Sequence, residues 1–169
     1  METNVSSQRI SKDGKVKSEK IVAAIGRWMP PHNGHKAFLT KLAKDDEFKK
    51  LIIMIGSCYE GGDRRHCITA TEREKMIRLI MNKENIPDEK YEIIPVPDVP
   101  TFEEWISNVL EVCKKHKVTH FCTGNKEDIL DVLEKRGESF ELELINPEEG
   151  SEIPYHATDI RNMIIDGEY

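Results

Sequence analysis

Two uninterrupted apolar runs, Ile21-Val22-Ala23-Ala24-Ile25 and Leu51-Ile52-Ile53-Met54-Ile55, constrain this chain more than any other feature. Each is short and offers no polar face to water, so each reads as a buried strand. Amphipathic stretches separate such runs along the rest of the chain. Residues 36–44 place Phe38, Leu39 and Leu42 on one helical stripe. Thr71 with Glu74 reads as a capping box that opens a helix with the stripe Met76, Ile77 and Ile80. Residues 91–96 form a third strand, and Pro95 in it points to an edge or a strand end. Thr101 and Glu104 repeat the capping box before a helix that spaces Trp105, Val109, Val112 and Cys113 for burial. Residues 118–122 read as a fourth strand, closed by Thr123-Gly124-Asn125. Ile129, Val132 and Leu133 mark a further helix, and residues 140–145 a fifth strand with Phe140, Leu142 and Leu144 alternating. A last helix over about residues 158–166 ends at Gly167 as its C-cap.

Strand–helix alternation of this kind predicts an α/β architecture. It is a doubly wound parallel sheet of about five strands, with right-handed crossovers and helices on both faces. Such sheets bind ligands at the carboxyl ends of their strands. Polar residues fall there: His32 and His35 after the first strand, Asp98 after the third and Asn125 after the fourth.

The bulk numbers narrow the class. A chain of 169 residues suits one domain with a sizeable core. Residues 20–169 are expected to form it, after a polar and flexible tail over 1–19. A net charge of −6 argues against broad nucleic-acid binding, which needs a basic face. The cysteines Cys58, Cys67, Cys113 and Cys122 show no Cys-x-x-Cys spacing, and Cys113 and Cys122 read as free buried thiols. The N-terminal segment has no apolar signal-peptide core, and no run approaches a membrane span. A reduced, cytoplasmic setting without membrane partners is therefore expected.

The chemistry concentrates in Gly26-Arg27-Trp28-Met29-Pro30-Pro31-His32-Asn33-Gly34-His35. A buried strand feeds a loop with two histidines, and a helix beginning near Gly34 adds its positive end and free N–H groups. Such a loop suits the phosphates of a nucleotide. Two histidines three apart could instead hold a metal, but a third ligand and a His-Glu-x-x-His pattern are missing. Arg27, directly after the strand, reads as a phosphate clamp or as half of a surface ion pair. In His156-Ala157-Thr158-Asp159-Ile160-Arg161, Thr158 could cap the last helix with Arg161 one turn in. Arg64, Arg65 and His66 could close over phosphates, but a solvated charge cluster is the favoured reading.

The paired His32-Asn33-Gly34-His35 and Thr158-Asp159-Ile160-Arg161 resemble the marks of the His-x-Gly-His nucleotidyltransferase superfamily. Within it, the chain is similar to the archaeal-type nicotinamide mononucleotide adenylyltransferases. That family opens with Gly-Arg-Phe-Gln-Pro-Phe-His-x-Gly-His. Its Ile-Gly-Ser matches Ile55-Gly56-Ser57, and its Phe-Thr-Ala-Gly-Glu-Arg resembles Ile68-Thr69-Ala70-Thr71-Glu72-Arg73. Its Pro-x-x-Asp with a tryptophan seven residues on matches Asp98 and Trp105, and its Ser-Gly-Asn resembles Thr123-Gly124-Asn125. The resemblance runs from about residue 20 to the C-terminus. Trp28, Met29 and Pro31 stand where the family has Phe, Gln and Phe, and His156 stands where a serine is common.

The resemblance implies a Rossmann-like fold and transfer of AMP from ATP to nicotinamide mononucleotide, giving NAD and pyrophosphate. It implies that Gly26, Arg27, His32, Gly34, His35, Gly124, Asn125, Thr158 and Arg161 bind ATP, with His32, His35 and Arg161 catalytic. It implies that Asp98 and Trp105 bind the nicotinamide nucleotide. An indole face attracts a cationic pyridinium ring, although packing alone would also explain Trp105. Mg²⁺ would be carried mainly by the ATP phosphates, with no metal site of the protein's own. Homo-oligomers are common in the resembled family. The alternatives are another phosphate acceptor within the superfamily and a non-catalytic nucleotide sensor. Preference between the nicotinamide and nicotinic acid mononucleotides is not legible in the residues.

Overall fold

The computed structural model describes residues 18–57, 67–122, 143–145 and 157–167. Along these the elements are β1 (Ile21–Gly26), α1 (Asn33–Lys44), β2 (Lys50–Ile55), α2 (Ala70–Lys83), a 3-10 turn (Asp88–Lys90), β3 (Tyr91–Pro95), α3 (Phe102–Lys115), β4 (His120–Cys122), β5 (Glu143–Ile145) and α4 (Ala157–Asp166). The strands form one parallel five-stranded sheet in the order β3-β2-β1-β4-β5. The two apolar runs pair in the middle of it, Ile21 opposite Lys50 through Gly26 opposite Ile55. Pro95 ends β3 on an outer edge, where a missing N–H costs no ladder bond.

Alternate residues of the central strands face opposite ways and build two cores. Val22, Ala24, Leu51, Ile53 and Ile55 pack with Leu39 and Leu42 of α1 and Ile77 and Met81 of α2. Ala23, Ile52, Met54 and Phe121 pack on the other face with Ile106, Val109, Leu110 and Cys113 of α3. The sheet is thus doubly wound, as the alternation predicts.

Three helices differ from the sequence expectation in detail. α2 is capped by Thr69, whose hydroxyl accepts from Glu72 N–H while the Glu72 carboxylate accepts from Thr69 N–H, and Thr71 lies inside the helix. Both threonines satisfy the capping pattern. The helix turns Arg73, Ile77 and Met81 to the interior and leaves Met76 exposed. In α3 the fully buried positions are Ile106, Val109, Leu110 and Cys113, while Trp105 and Val112 are half-buried, because the helix rolls its stripe by one residue onto the sheet. α4 begins at Ala157, so Thr158 is its second residue and does not cap it. Gly167 ends α4 with φ +73°, the left-handed conformation a C-cap glycine takes freely.

Strand β4 starts later than expected. β4 begins at His120, after the Thr119 hydroxyl accepts from Ile21 N–H at 2.9 Å. The tail over 1–17, Cys58 to His66, Thr123-Gly124-Asn125, the Ile129–Val132–Leu133 helix, residues 140–142 and His156 lie outside the described residues. Burial pushes the Cys113 and Cys122 thiols up to about 12, as expected of inert buried cysteines. No helix among the described residues is long and apolar enough to cross a membrane.

Candidate active site

The chain runs from β1 outward to β2 and β3, then returns to place β4 on the other side of β1. The carboxyl ends of β1 and β4 therefore flank the switch point, where a crevice opens in a sheet of this kind. The loop after β1 carries His32 and His35 to that place.

His32 is the N-cap of α1. Its Nδ1 accepts from Gly34 N–H at 3.1 Å, and His35 Nδ1 accepts from His32 N–H at 3.4 Å, an imidazole version of the capping box. The two rings stack with centroids 3.8 Å apart. Because Nδ1 of His32 is an acceptor, its neutral ring carries the proton on Nε2. Gly34 N–H is spent on His32, so this donor at the helix end is not a free backbone group. Burial, with repulsion from His32 added, lowers the His35 pKa to about 4, and a hydrogen bond to the Pro30 backbone offsets part of this. His35 is neutral at pH 7.

Trp28 fixes the loop from below. It is buried, and its indole N–H donates to the Met54 carbonyl at 2.8 Å. Its ring meets His35 edge-on with centroids 4.9 Å apart. A Cβ on Gly26 would lie 2.9 Å from this indole, so the glycine makes room for the tryptophan. Met29 is 1% exposed, and this side chain belongs to the interior.

Arg161 arrives from the far end of the chain. It is 6% exposed on α4, and its Nη1 donates to the Met29 carbonyl at 2.7 Å while Nη2 donates to the Thr158 hydroxyl at 3.0 Å. The structure thus brings Thr158 and Arg161 to the histidine loop. Arg27 is exposed. Of the two residues expected at the nicotinamide nucleotide, Asp98 follows β3 and is half-buried. Trp105 leans over the end of β2, its ring 3.7 Å from where a Cβ on Gly56 would stand, and stacks with exposed Phe102 at 5.8 Å. The candidate ATP residues Gly124 and Asn125 lie outside the described residues, as do Arg64, Arg65 and His66.

Two residues escaped the sequence reading. Trp28 was visible only as a departure from a family pattern. Arg73 was visible only as part of a matching segment, yet it is fully buried and donates to four main-chain carbonyls. An arginine on an otherwise apolar helical stripe is the signal that could have found it.

A family profile described as cytidylyltransferase-like matches residues 23–163. The nicotinamide-nucleotide adenylyltransferase of Methanococcus aeolicus is 31% identical over 85% of this chain and 77% of its own length. That of Thermoplasma acidophilum is 29% identical over 90% of this chain and 79% of its own length. Among solved structures, a bifunctional NMN adenylyltransferase/ADP ribose pyrophosphatase from Francisella tularensis shares the fold with a TM-score of 0.71 at 19% identity. The match covers 89% of this chain and 44% of that protein. With the profile spanning the sheet and both ends of the site, the chain belongs to the cytidylyltransferase-like family, alongside the archaeal nicotinamide-nucleotide adenylyltransferases.

Proposed function

We propose that this nucleotidyltransferase moves AMP from ATP onto nicotinamide mononucleotide, forming NAD and releasing pyrophosphate, a step of NAD biosynthesis in the cytoplasm. The observation that carries the reading is convergence: the stacked His32–His35 pair and Arg161 meet on one loop at the switch point. Residues 20–169 would form the catalytic domain. The names of its relatives supply the acceptor.

The nucleophile is the 5′-phosphate of the mononucleotide, already anionic at pH 7. One of its oxygens bonds to the α-phosphorus of ATP in line. The bond to the bridging oxygen breaks, and pyrophosphate leaves with the electron pair. No covalent protein intermediate is needed, so the protein's work is positioning and charge neutralisation. Arg161 and His32 would hold the β- and γ-phosphates, and His35 would favour charge building on the α-phosphate. Among the described residues Arg161 engages two of its five N–H donors, and others of the fork would meet phosphate. The Thr158 hydroxyl accepts from Arg161, which frees its own proton for an oxygen of ATP. Arg27 would clamp from the solvent side, and Gly26 and Gly34 would shape the loop. Gly124 and Asn125 would face the adenosine. Asp98 and Trp105 would hold the ribotide and its cationic ring.

Mg²⁺ would enter on the ATP phosphates and neutralise part of their charge. Phosphate oxygens and water would supply most of its ligands, as is usual for this ion on a nucleotide. A homo-oligomeric state belongs to the proposal and is read by sedimentation.

The test is pyrophosphate release from ATP and Mg²⁺ with nicotinamide mononucleotide, pantetheine phosphate and flavin mononucleotide in parallel. Release only with the first, with NAD appearing, is the expected result. Release with another acceptor would return Asp98 and Trp105 to a structural role. ATP binding without release from any would favour a sensor.

A further inference from the structure

Arg73 has no place in the reaction as drawn, although it lies against the site. The last rung between β1 and β2 is Gly26 opposite Ile55, and Gly56 N–H still donates to the Gly26 carbonyl at 2.9 Å. Beyond that point the strands part, and the guanidinium of Arg73 occupies the fork. Nη1 donates to the carbonyls of Arg27 at 2.6 Å and Gly56 at 2.8 Å, and Nη2 to that of Ser57 at 2.6 Å. Nε turns back to the Thr69 carbonyl at 3.3 Å. At the same fork Trp28 and Ser57 are left-handed, with φ of +50° and +51°. That region is disfavoured for any residue with a Cβ, and it persists only where the surroundings over-determine it.

We propose that Arg73 is a positioning residue: by gripping the Arg27, Gly56 and Ser57 carbonyls it holds Trp28 and Ser57 left-handed, and so sets the ATP loop after β1 against the acceptor side at the end of β2. The inference rests on the adenylyl-transfer reading, which puts the two substrates on those two strand ends. A peptide plane that aims its carbonyl at the guanidinium aims the next N–H the opposite way, so the Trp28 and Ser57 peptides are oriented as units. Trp28 passes this to the histidines through its edge contact with His35. On the other strand, Gly56 lies under the Trp105 ring. A lysine keeps the charge at this position but cannot span three carbonyls with one nitrogen.

The experiment compares wild type, R73K, R73Q and R73K/S57G by steady-state kinetics for both substrates, ATP titration calorimetry and thermal melting, at a temperature where each is folded. R73K is expected to lower kcat by about tenfold or more and to weaken ATP binding, as misplacement of reacting groups does. Glycine takes φ near +50° without steric cost, so R73K/S57G should regain much of that loss. A folded R73K with wild-type kcat and ATP affinity would overturn the proposal, and so would a loss that S57G leaves untouched. Should neither Arg73 variant fold, S57V decides: a β-branched residue at that φ should lower kcat with Arg73 in place, and an unchanged kcat overturns the link. Wild type that releases no pyrophosphate with any acceptor would fail the reaction reading instead, and ATP titration of the same variants would still decide on Arg73.

Discussion

Arg161 Nη1 donates to the main-chain carbonyl of Met29 at 2.7 Å across 132 residues of sequence. One buried guanidinium thereby ties the C-terminal helix to the loop that carries the histidines. R161K keeps the charge and loses the fork that bonds Met29 and Thr158 together. Its kcat/KM for ATP should fall about 100-fold, in the range of losing one oxyanion-stabilising donor. A kcat/KM within a factor of about three of wild type would remove Arg161 from the phosphate site.

His35→Ala should cut turnover by ~10²–10³ with the fold retained, by the same comparison with a lost oxyanion donor. The variant also gives up one half of the α1 capping box, a loss of about 1 kcal/mol in stability. Circular dichroism checks the fold, and single-turnover pyrophosphate release checks the chemistry. Near-normal turnover would sink the catalytic assignment.

The same histidine makes stability depend on pH with a definite sign. Its folded pKa is about 4 against an ordinary 6.5. Above 6.5 it is neutral in both states and its contribution is complete. As pH falls from 6.5 to about 4 the unfolded chain binds a proton that the folded chain refuses, and stability drops. The total loss from this one group is about 3 kcal/mol. Urea unfolding at a series of pH values should show this slope in wild type and a shallower one in His35→Gln. Equal slopes would mean that burial does not hold the ring neutral. Triphosphate binding should oppose the effect, because an anion beside the ring favours its protonated form.

Trp105→Leu should raise KM for nicotinamide mononucleotide about tenfold while KM for ATP stays within about twofold, since an indole face rewards only the cationic ring. Trp105 is half-buried at the edge of α3, so melting temperature should move little. Equal shifts in both constants would make Trp105 a packing residue.

Strand order aside, much of the fold was legible in the sequence. The runs at Ile21 and Leu51 could be stable only in the middle of a covered sheet, and they pair there. Pro95 announced its edge. Less legible were helix registers. Thr69 and Thr71 carry the same capping signal, and only the burial of Arg73, Ile77 and Met81 selects the first. Trp105 sits one residue off the buried stripe of its helix, a difference that periodicity is too coarse to resolve.

For the site, the sequence by itself determined which residues stand after which strand: His32 and His35 after the first, Asp98 after the third, and a threonine and an arginine on the last helix. Local chemistry dictates that much, because a strand end, a glycine and a helix start are short-range signals. Only the tertiary structure decided that Arg161 closes on Met29, that Trp28 props His35, and that Arg73 pins the parted ends of β1 and β2. The two arginine contacts are long-range and made to main-chain carbonyls, which every residue possesses, while the ring contact depends on how the loop after β1 folds back. A sequence shows which donors a chain has; which carbonyls they reach is settled by how the strands diverge.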